Sequence, residues 1–374
     1  MKITKVEAIP IRLPQVTTAI DGSQDDCIIK IHTDEGIIGI GEVDAPPTVV
    51  KAIVDAPTSH GWARGLAEVL IGEDPFDVEQ LWNKMYQSTI YYGRRGVVIS
   101  AMSGIDIALW DTIGKASGKP IHKLLGGSYH SKIRPYASIY PFGNTQAEIT
   151  KKARKYVGDH FTAAKFQCAP FGSDPRYDVK MVKAARDGLG VEAELMVDAC
   201  MCWSNSAQAI KTAKAIERFD VYWLEAPLPP DDLDGYAKLA DACDMRIAGG
   251  DLNLATRYEF ADLMDRGRVD VVQPDITHSG GITELKKISE LALLKGRDFV
   301  PHSYKTGLSI AATLQLLASV PNATFLEFSV NESILRRSLI KQRFWPDDDG
   351  YIQVPDAPGL GVDLDDEIVR KYKV

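Results

Sequence analysis

The sequence predicts an α/β protein built around a parallel barrel. From about residue 130 onward, a short run of β-branched or aromatic residues followed by a segment of helical periodicity recurs eight times. These runs begin about 24 to 31 residues apart, which leaves room for a strand, a helix and two short loops. Eight such units close a (β/α)₈ barrel. The predicted strands are Ile133–Ile139, Ala163–Cys168, Glu194–Ala199, Val221–Ala226, Met245–Gly250, Val269–Pro274, Phe299–Ser303 and Thr324–Phe328.

The first 125 or so residues follow a different pattern. Predicted strands at Lys2–Leu13, Cys27–Thr33 and Gly36–Glu42, followed by helical segments, indicate an α+β piece in front of the barrel. Two further stretches, Val16–Asp26 and Pro46–Trp62, are either loops that reach over the barrel mouth or ordinary surface loops. After the eighth strand, a short strand and a final helix form a tail that could return to the first part. We therefore divide the chain into residues 1–126, 127–345 and 346–374.

Composition and motifs exclude several classes of protein. The net charge of −8, without a basic block, argues against nucleic acid and anionic membranes as partners. No segment approaches the ~18 uninterrupted apolar residues of a membrane span. No G-x-G-x-x-G or G-x-x-x-x-G-K-[ST] motif follows a predicted strand, so a doubly wound nucleotide-binding sheet lacks its usual support. The N-terminus reads as a strand rather than a secretory signal, and we expect a cytoplasmic protein.

Three predicted strands in succession end in a carboxylate. The side chains are Asp198, Glu225 and Asp251, and the carboxyl ends of neighbouring barrel strands face the same site. Three like charges at one place are tolerable only with a cation among them. Oxygen-only ligands favour Mg²⁺. We expect one Mg²⁺ per chain, with Asn253 close enough to Asp251 to share the third position.

The sixth and seventh predicted strands end in Asp275 and in His302. Neighbouring strands place the two within reach, and a carboxylate there would fix the imidazole tautomer and raise its basicity. His302 is therefore the leading candidate for a general base. The eighth strand ends in Glu327, which could donate or accept a hydrogen bond at a developing enolate oxygen if its pKa were raised.

The second predicted strand carries Lys165 and Gln167 on one face, because strand side chains alternate. Lys165 can hold a substrate carboxylate. The alternative is a solvated lysine at a strand end.

With these residues in place, the chain resembles the mandelate racemase subgroup of the enolase superfamily over essentially its whole length. Seven segments and the C-terminal ending carry the resemblance. They are Ser103-Gly104-Ile105-Asp106-Ile107-Ala108-Leu109-Trp110-Asp111, Leu124-Leu125-Gly126-Gly127, Val197-Asp198 with Leu224-Glu225, Ile247-Ala248-Gly249-Gly250, Gln273-Pro274-Asp275 with Gly280-Gly281-Ile282-Thr283-Glu284, and Pro358-Gly359-Leu360-Gly361-Val362.

The resemblance implies a capping domain made of the N-terminal residues plus the C-terminal tail, and a modified (β/α)₇β barrel. It also implies that Asp198, Glu225 and Asp251 hold Mg²⁺, that Asp275 and His302 form the basic dyad, and that Glu327 is the electrophilic carboxyl group. A metal bound to substrate carboxylate oxygens makes chemical sense, because it stabilises charge as that charge develops.

Two departures from the family pattern bear on the reaction. The family usually has Lys-x-Lys on the second strand, whereas this chain has Lys165-Phe166-Gln167. Gln167 cannot accept a proton, and a racemase or epimerase needs an acid/base group on each face of the enolate. One-base chemistry is therefore favoured. The second departure is Asp251, where the family commonly has the longer Glu.

The leading hypothesis is an acid-sugar dehydratase, a lyase that converts an aldonate or aldarate to a 2-keto-3-deoxy acid. A cycloisomerase of a sugar lactone or anhydro-sugar acid is the alternative, an epimerase is third, and a non-catalytic sugar-acid binding protein represents a different class. We expect a homo-oligomer. The candidate substrate contacts are Gln167, His60, Tyr140 and Lys305.

Overall fold

The computed structural model describes residues 1–19, 21–141, 143–167, 171–252 and 254–374. The chain begins with an antiparallel sheet of three strands, β1 (Ile3–Arg12), β2 (Asp25–Thr33) and β3 (Ile38–Val43), in that order. The turn between β2 and β3 closes through the Gly36 amide, which donates to Thr33 O at 3.2 Å. Gly36 has φ +78°, a conformation that favours glycine. The three N-terminal strands and their turn are thus where the sequence predicted them.

Five helices follow this sheet, and the first, second and fourth of them pack on it. They are α1 (Pro47–Asp55), α2 (Leu66–Leu70), α3 (Val78–Gly93), α4 (Val97–Ser117) and α5 (Ile121–Leu124). The prediction that residues 46–62 are a loop is wrong for α1. Pro47 is at the first helical position, where the backbone N–H that proline lacks would have no partner within the helix. Val50, Ile53 and Val54 bury one face of α1 against the sheet.

Helix α4 is long and apolar enough to cross a membrane by length and composition alone. In the folded chain, however, 94% of its most apolar window is buried inside the protein. Gly104 allows this packing, because an added Cβ would lie 2.4 Å from Val43 Cγ2. The helix therefore forms the core of the N-terminal part.

A two-residue strand, β4 (Lys132–Ile133), precedes a parallel sheet of eight strands. The eight strands are β5 (Pro135–Ile139), β6 (Ala163–Gln167), β7 (Glu194–Asp198), β8 (Val221–Glu225), β9 (Arg246–Gly249), β10 (Val271–Val272), β11 (Asp298–Phe299) and β12 (Leu326–Ser329). Neighbours follow chain order from β5 to β11, and β12 pairs with β5. A parallel bridge from Phe299 to Ala323 joins the two remaining edges. The sheet is a closed barrel, as predicted.

Seven helices connect the eight strands, which gives the (β/α)₇β arrangement that the family resemblance implied. They are α6 (Gln146–Gly158), α7 (Pro175–Leu189), α8 (Ser206–Ile216), α9 (Leu233–Ala242), α10 (Thr256–Asp262), α11 (Gly281–Leu294) and α12 (Gly307–Ala318). The next element after β12 is a short helix, α13 (Ile334–Ser338). The barrel interior is filled by aromatic side chains, among them Tyr136, Trp223 and Phe325, which meet edge to face.

The C-terminal tail contacts both parts of the protein. Strand β13 (Ile352–Gln353) pairs with β4, while helix α14 (Asp366–Tyr372) packs on β1. A bridge between Ile11 and Lys373 adds a second link to β1. The tail therefore returns to the first part of the chain, whereas the boundaries at 126/127 and 345/346 remain predictions.

Helix α4 is docked on the start of barrel helix α11. Ser103 Oγ accepts from Gly280 N at 2.8 Å, and Asp106 Oδ2 accepts from Thr283 N at 2.9 Å. At Gly281 an added Cβ would lie 2.5 Å from Asp106 Oδ2. Two of the motifs that carry the family resemblance, Ser103–Asp111 and Gly280–Glu284, thus form one joint between the N-terminal part and the barrel. The joint lies immediately after the strand that carries Asp275.

Candidate active site

A cavity of 570 Å³ lies between the N-terminal part and the mouth of the barrel. Gly22, Asp44, Ala45 and Pro46 form its wall on the N-terminal side. Both stretches predicted as loops therefore reach the barrel mouth. Val16–Asp26 does so through Gly22, and Pro46–Trp62 does so through Pro46. The barrel contributes the strand-end residues described next.

The three predicted metal ligands lie at this mouth. Asp198 and Glu225 end adjacent strands as register partners, and Asp251 follows β9 by two residues. All three are buried. Asp251 Oδ1 has no hydrogen-bond partner within the described part of the chain. Asn253, the alternative third ligand, lies outside the described residues.

Buried like charges raise the pKa of the two aspartates. Burial is the main cause, and the Glu225 carboxylate is the second; together they raise the pKa of Asp251 to about 7 and that of Asp198 well above its usual value. The carboxylates of this site therefore carry more negative charge than the neighbouring cationic side chains neutralise. An oxygen-only set of carboxylates with an unpartnered buried oxygen fits a hard divalent cation such as Mg²⁺.

Lys165 supplies the positive charge at this site. Its Nζ donates to Glu225 Oε1 in a very short contact, lies 2.9 Å from Glu327 Oε1 and is 4.0 Å from Asp198 Oδ2. Burial alone would lower the lysine pKa, but these carboxylates outweigh it and raise the pKa. Lys165 is fully buried and not a solvated strand-end lysine. It binds the protein's own carboxylates, so a substrate carboxylate would compete with Glu225 and Glu327 for it.

Asp275 and His302 form the predicted dyad. His302 Nδ1 lies 2.6 Å from Asp275 Oδ2, and the other carboxylate oxygen accepts from Thr277 N at 2.6 Å and from Thr277 Oγ1 at 2.5 Å. Burial favours the neutral acid, but the neighbouring His278 and His302 outweigh it and lower the pKa of Asp275. The carboxylate is thus ionised and held in place. It orients the imidazole with Nε2 left for other contacts.

The charges around His302 raise its basicity. Burial would lower the His302 pKa, but the Glu327 and Asp275 carboxylates outweigh it and raise the pKa to about 10. The ring lines the cavity and stacks between two others, with centroid distances of 6.2 Å to His278 and 6.1 Å to Tyr304.

In this structure the pKa of Glu327 is not raised, as donation of a hydrogen bond to an enolate oxygen would require. Burial does act in that direction, but Lys165 and His302 outweigh it and lower the pKa to about 2. Glu327 Oε1 also accepts from Ser138 Oγ at 2.7 Å, and Oε2 accepts from Ser303 N at 3.0 Å. An ionised Glu327 accepts hydrogen bonds and cannot donate one to an oxyanion.

Gln167 faces the cavity on the second strand, at the same level as Asp198. Its Nε2 donates to Ser138 Oγ at 2.8 Å, and Ser138 in turn donates to Glu327. The amide therefore continues a hydrogen-bonded chain. It offers no basic group to the cavity.

The structure does not bring the other three candidate substrate contacts to the cavity wall. His60 is exposed and packs edge-on against Tyr91, because the turn that carries it folds back on itself through a bond between Trp62 N and His60 Nδ1. Tyr140 is not among the lining residues. Lys305 is buried, and its Nζ donates to Gly22 O at 2.6 Å and pairs with Asp44 Oδ1 at 3.1 Å.

Four residues of the site were missed at the sequence level. Ser138 lies on a barrel strand, where alternate side chains point into the barrel, and His278 is three residues after Asp275. The local sequence therefore gave a weak indication of both. Tyr304, two residues after His302 at the end of the seventh predicted strand, carried a similar signal. Asp44 carried none, since it reaches the cavity only because the N-terminal part packs on the barrel.

Known proteins share this architecture along nearly the whole chain. Residues 2–126 match the family described as mandelate racemase / muconate lactonizing enzyme, N-terminal domain, and residues 148–368 match the enolase C-terminal domain-like family. Arabinonate dehydratase of Saccharolobus solfataricus is 32% identical over 92% of this chain and 89% of its own length. The crystal structure of the 3,6-anhydro-D-galactonate cycloisomerase from Zobellia galactanivorans is 33% identical, with a TM-score of 0.89 and full coverage of both chains.

A racemase from Streptomyces coelicolor A3(2), crystallised with bound magnesium, is 31% identical with a TM-score of 0.87, again over both whole chains. The matched segments include the joint between α4 and α11, the three strand-end carboxylates and the Asp275–His302 dyad. This chain belongs to the mandelate racemase / muconate lactonizing enzyme family of the enolase superfamily.

Proposed function

We propose that this chain is an acid-sugar dehydratase that removes the proton next to the substrate carboxylate and forms a 2-keto-3-deoxy acid. The observation that carries the proposal is the one-sided site. His302, oriented by Asp275, lines the cavity, and Gln167 lines the same cavity from a strand three positions away around the barrel. The dehydratase named among its relatives supports the same reaction class.

His302 takes the proton through Nε2. At neutral pH the raised pKa of about 10 keeps most of the His302 rings protonated, so the base is the neutral fraction. Because Nδ1 is bonded to Asp275, that neutral ring carries its hydrogen there and leaves the Nε2 lone pair for the α-proton. Loss of that proton gives an enolate, and the β carbon–oxygen bond then breaks as the hydroxyl leaves with a proton returned by the imidazolium. The resulting enol tautomerises to the keto acid, so the balance is one water lost.

We further propose that Asp198, Glu225 and Asp251 hold one Mg²⁺ per chain. When bound, the ion supplies positive charge that stabilises charge developing on the substrate carboxylate. Lys165 can supply charge to the same carboxylate once it leaves Glu225. Relatives in this family bind magnesium, as the racemase from Streptomyces coelicolor does.

A cycloisomerase is the second candidate, because one relative with a TM-score of 0.89 is named as one. Ring opening also begins with one α-proton removed by one base, and the ring oxygen leaves in place of a hydroxyl. An epimerase is disfavoured by Gln167. We expect the enzyme to act in the cytoplasm as a homo-oligomer on a small sugar acid, without nucleic acid or membrane.

The test is a screen of sugar acids, sugar lactones and anhydro-sugar acids with Mg²⁺, in deuterated solvent. A dehydratase gives a keto acid with loss of water, a cycloisomerase gives an isomeric product without that loss, and an epimerase gives deuterated substrate without a keto acid. His302→Asn should abolish turnover and exchange. The matched control His60→Asn alters an exposed histidine outside the cavity and should retain both. Full activity in His302→Asn would overturn the base assignment.

A further inference from the structure

The cavity wall carries an unusual balance of charge. Among the described residues, no lysine or arginine lines the cavity, whereas Asp44, Asp198 and Asp251 do. The six residues outside the description are also not basic; they are Ile20, Phe142, Cys168, Ala169, Pro170 and Asn253. The nearest cations lie behind the wall: Lys165 is bonded to Glu225, and Lys305 is bonded to Gly22 O and Asp44.

One histidine on this wall has a ring nitrogen without a hydrogen-bond partner among the described residues. His278 is 7% exposed, and its Nε2 has no hydrogen-bond partner in the described ranges. Its ring lies nearly parallel to that of His302, at an interplanar angle of 9°. An unsatisfied buried polar group is costly, so a site that retains one is suited to a ligand that satisfies it.

Asp44 lies across from this histidine on the N-terminal side. Ligand atoms of Asp44, Asp275 and His278 all lie within 4.8 Å of one another. The Asp44 carboxylate and the His278 ring do not bond to each other, yet they are close enough to share one small group. They come from different parts of the fold, and the cavity lies between them.

A metal ion fits this place poorly. The Asp275 carboxylate is already bonded to His302 Nδ1 and to Thr277, and the Lys305 ammonium lies 3.1 Å from Asp44 Oδ1. An anion fits no better beside two carboxylates. A neutral hydroxyl fits both partners, because it can donate to the Asp44 carboxylate and accept from a His278 N–H. The two hydrogen bonds would span up to roughly 5.5 Å, which accommodates the observed separation.

We propose that the substrate is a monocarboxylate, an aldonate, one of whose chain hydroxyls is bound between Asp44 and His278. This inference rests on the proposed function and narrows its substrate class. The single carboxylate lies with Lys165 and the metal ligands, and the rest of the molecule is neutral. An aldarate would bring a second carboxylate to a wall that offers it acids and no free cation. Asp44 and His278 are thus specificity residues, and His302 remains the base.

Binding to the inactive variant tests the substrate class apart from catalysis. Calorimetry on His302→Asn with Mg²⁺ compares two pairs matched in configuration: D-galactonate with galactarate, and D-gluconate with D-glucarate. We expect at least one aldonate to bind 10-fold or more tighter than its aldarate. Equal or tighter aldarate binding, or no binding by any acid of either class, overturns the inference.

Turnover by specificity variants tests the two residues. His278→Phe should lower kcat/KM for the preferred aldonate by roughly 10- to 100-fold, mainly through KM, since one buried hydrogen bond is lost. His278→Gln should recover part of the loss. Against a deoxy analogue that lacks the bound hydroxyl, wild type and His278→Phe should perform alike. His60→Phe is the control, and unchanged Mg²⁺ affinity and melting temperature check that the variants fold.

The two proposals fail in different ways. If the wild type dehydrates aldarates in preference to aldonates, the inference is wrong and the dehydratase assignment stands. If His302→Asn still forms keto acid, the dehydratase mechanism itself is wrong, whatever the substrate. If His278→Phe turns over the aldonate and its deoxy analogue with the same ratio as wild type, His278 binds no substrate hydroxyl.

Discussion

Replacement of Asp106 by Asn should make the protein more stable at pH 8. Asp106 is fully buried in α4, accepts one bond from Thr283 N, and has no partner for Oδ1 in the described part of the chain. Burial raises the pKa of Asp106 to about 7, against its ordinary 3.8. Since one pKa unit equals about 1.4 kcal/mol, ionising this group in the folded protein costs about 4 kcal/mol more than in the unfolded chain.

The sign of the pH effect follows from the raised pKa. The folded state retains the proton of Asp106 while the unfolded state has lost it, so stability is highest below about pH 4 and falls until about pH 7. Between pH 5 and pH 8 the wild type should lose about 3 kcal/mol through this group. Asn cannot ionise. The stability difference between Asp106→Asn and wild type should therefore grow by about 3 kcal/mol over that interval.

Urea unfolding at pH 5 and pH 8, followed by tryptophan fluorescence, measures this difference. Asp111→Asn is the matched control on the same helix, and Asp111 is equally buried. Its two oxygens accept from Leu360 N and Ile40 N, both at 2.9 Å, so an amide nitrogen there would face a backbone N–H and destabilise the fold. If the effect of Asp106→Asn is the same at both pH values, the carboxyl group is not protonated in the fold and the reasoning is refuted.

Three further predictions concern the metal site and the joint. Glu225→Gln should weaken Mg²⁺ binding at least tenfold by calorimetry, and unchanged affinity would count against the proposed ligands. Lys165→Met should strengthen Mg²⁺ binding in the same assay, because it removes a cation that contacts Glu225, and it should also abolish turnover; weaker binding would contradict this account. Gly281→Ala should lower the free energy of unfolding, measured in urea, by about 2 kcal/mol or more, because φ is +79° and the new Cβ would contact Asp106. Gly126→Ala, at φ +114° with open space around the new Cβ, should lower it by less.

The barrel and its strand-end residues were predictable because their determinants are local. Asp198, Glu225 and His302 each end an apolar run, and barrel closure alone brings such ends together. The substitution at Gln167 was equally visible, since it needs only the residue type and the alternation of a strand. Helix α1 was not predicted, because its short apolar face becomes helical only against the sheet it covers.

The state of charge of the site could not be read from the sequence. Glu327 was predicted to donate or accept a hydrogen bond, depending on its pKa. Its ionisation follows from Lys165 Nζ at 2.9 Å, a contact between residues 162 positions apart on two different strands. Lys165 itself was expected at the substrate and is held by carboxylates of the protein. Such pKa values depend on the sum of burial and neighbouring charges at a few ångströms, which no single segment contains.

The sequence by itself determined the fold class and the family, and it predicted the Asp275–His302 pair and the one-sided chemistry that we propose, because alternation, strand ends and residue type are properties of short segments. Only the tertiary structure decided which groups face the substrate from the N-terminal side. Asp44 and His278 lie close together at the cavity because α4 docks on α11 and brings two distant parts of the chain into contact. Lys305 lies behind the cavity wall, where its Nζ donates to Gly22 O. Contacts of this kind depend on how the surfaces of two distant segments pack together. No periodic pattern in the sequence predicts that packing.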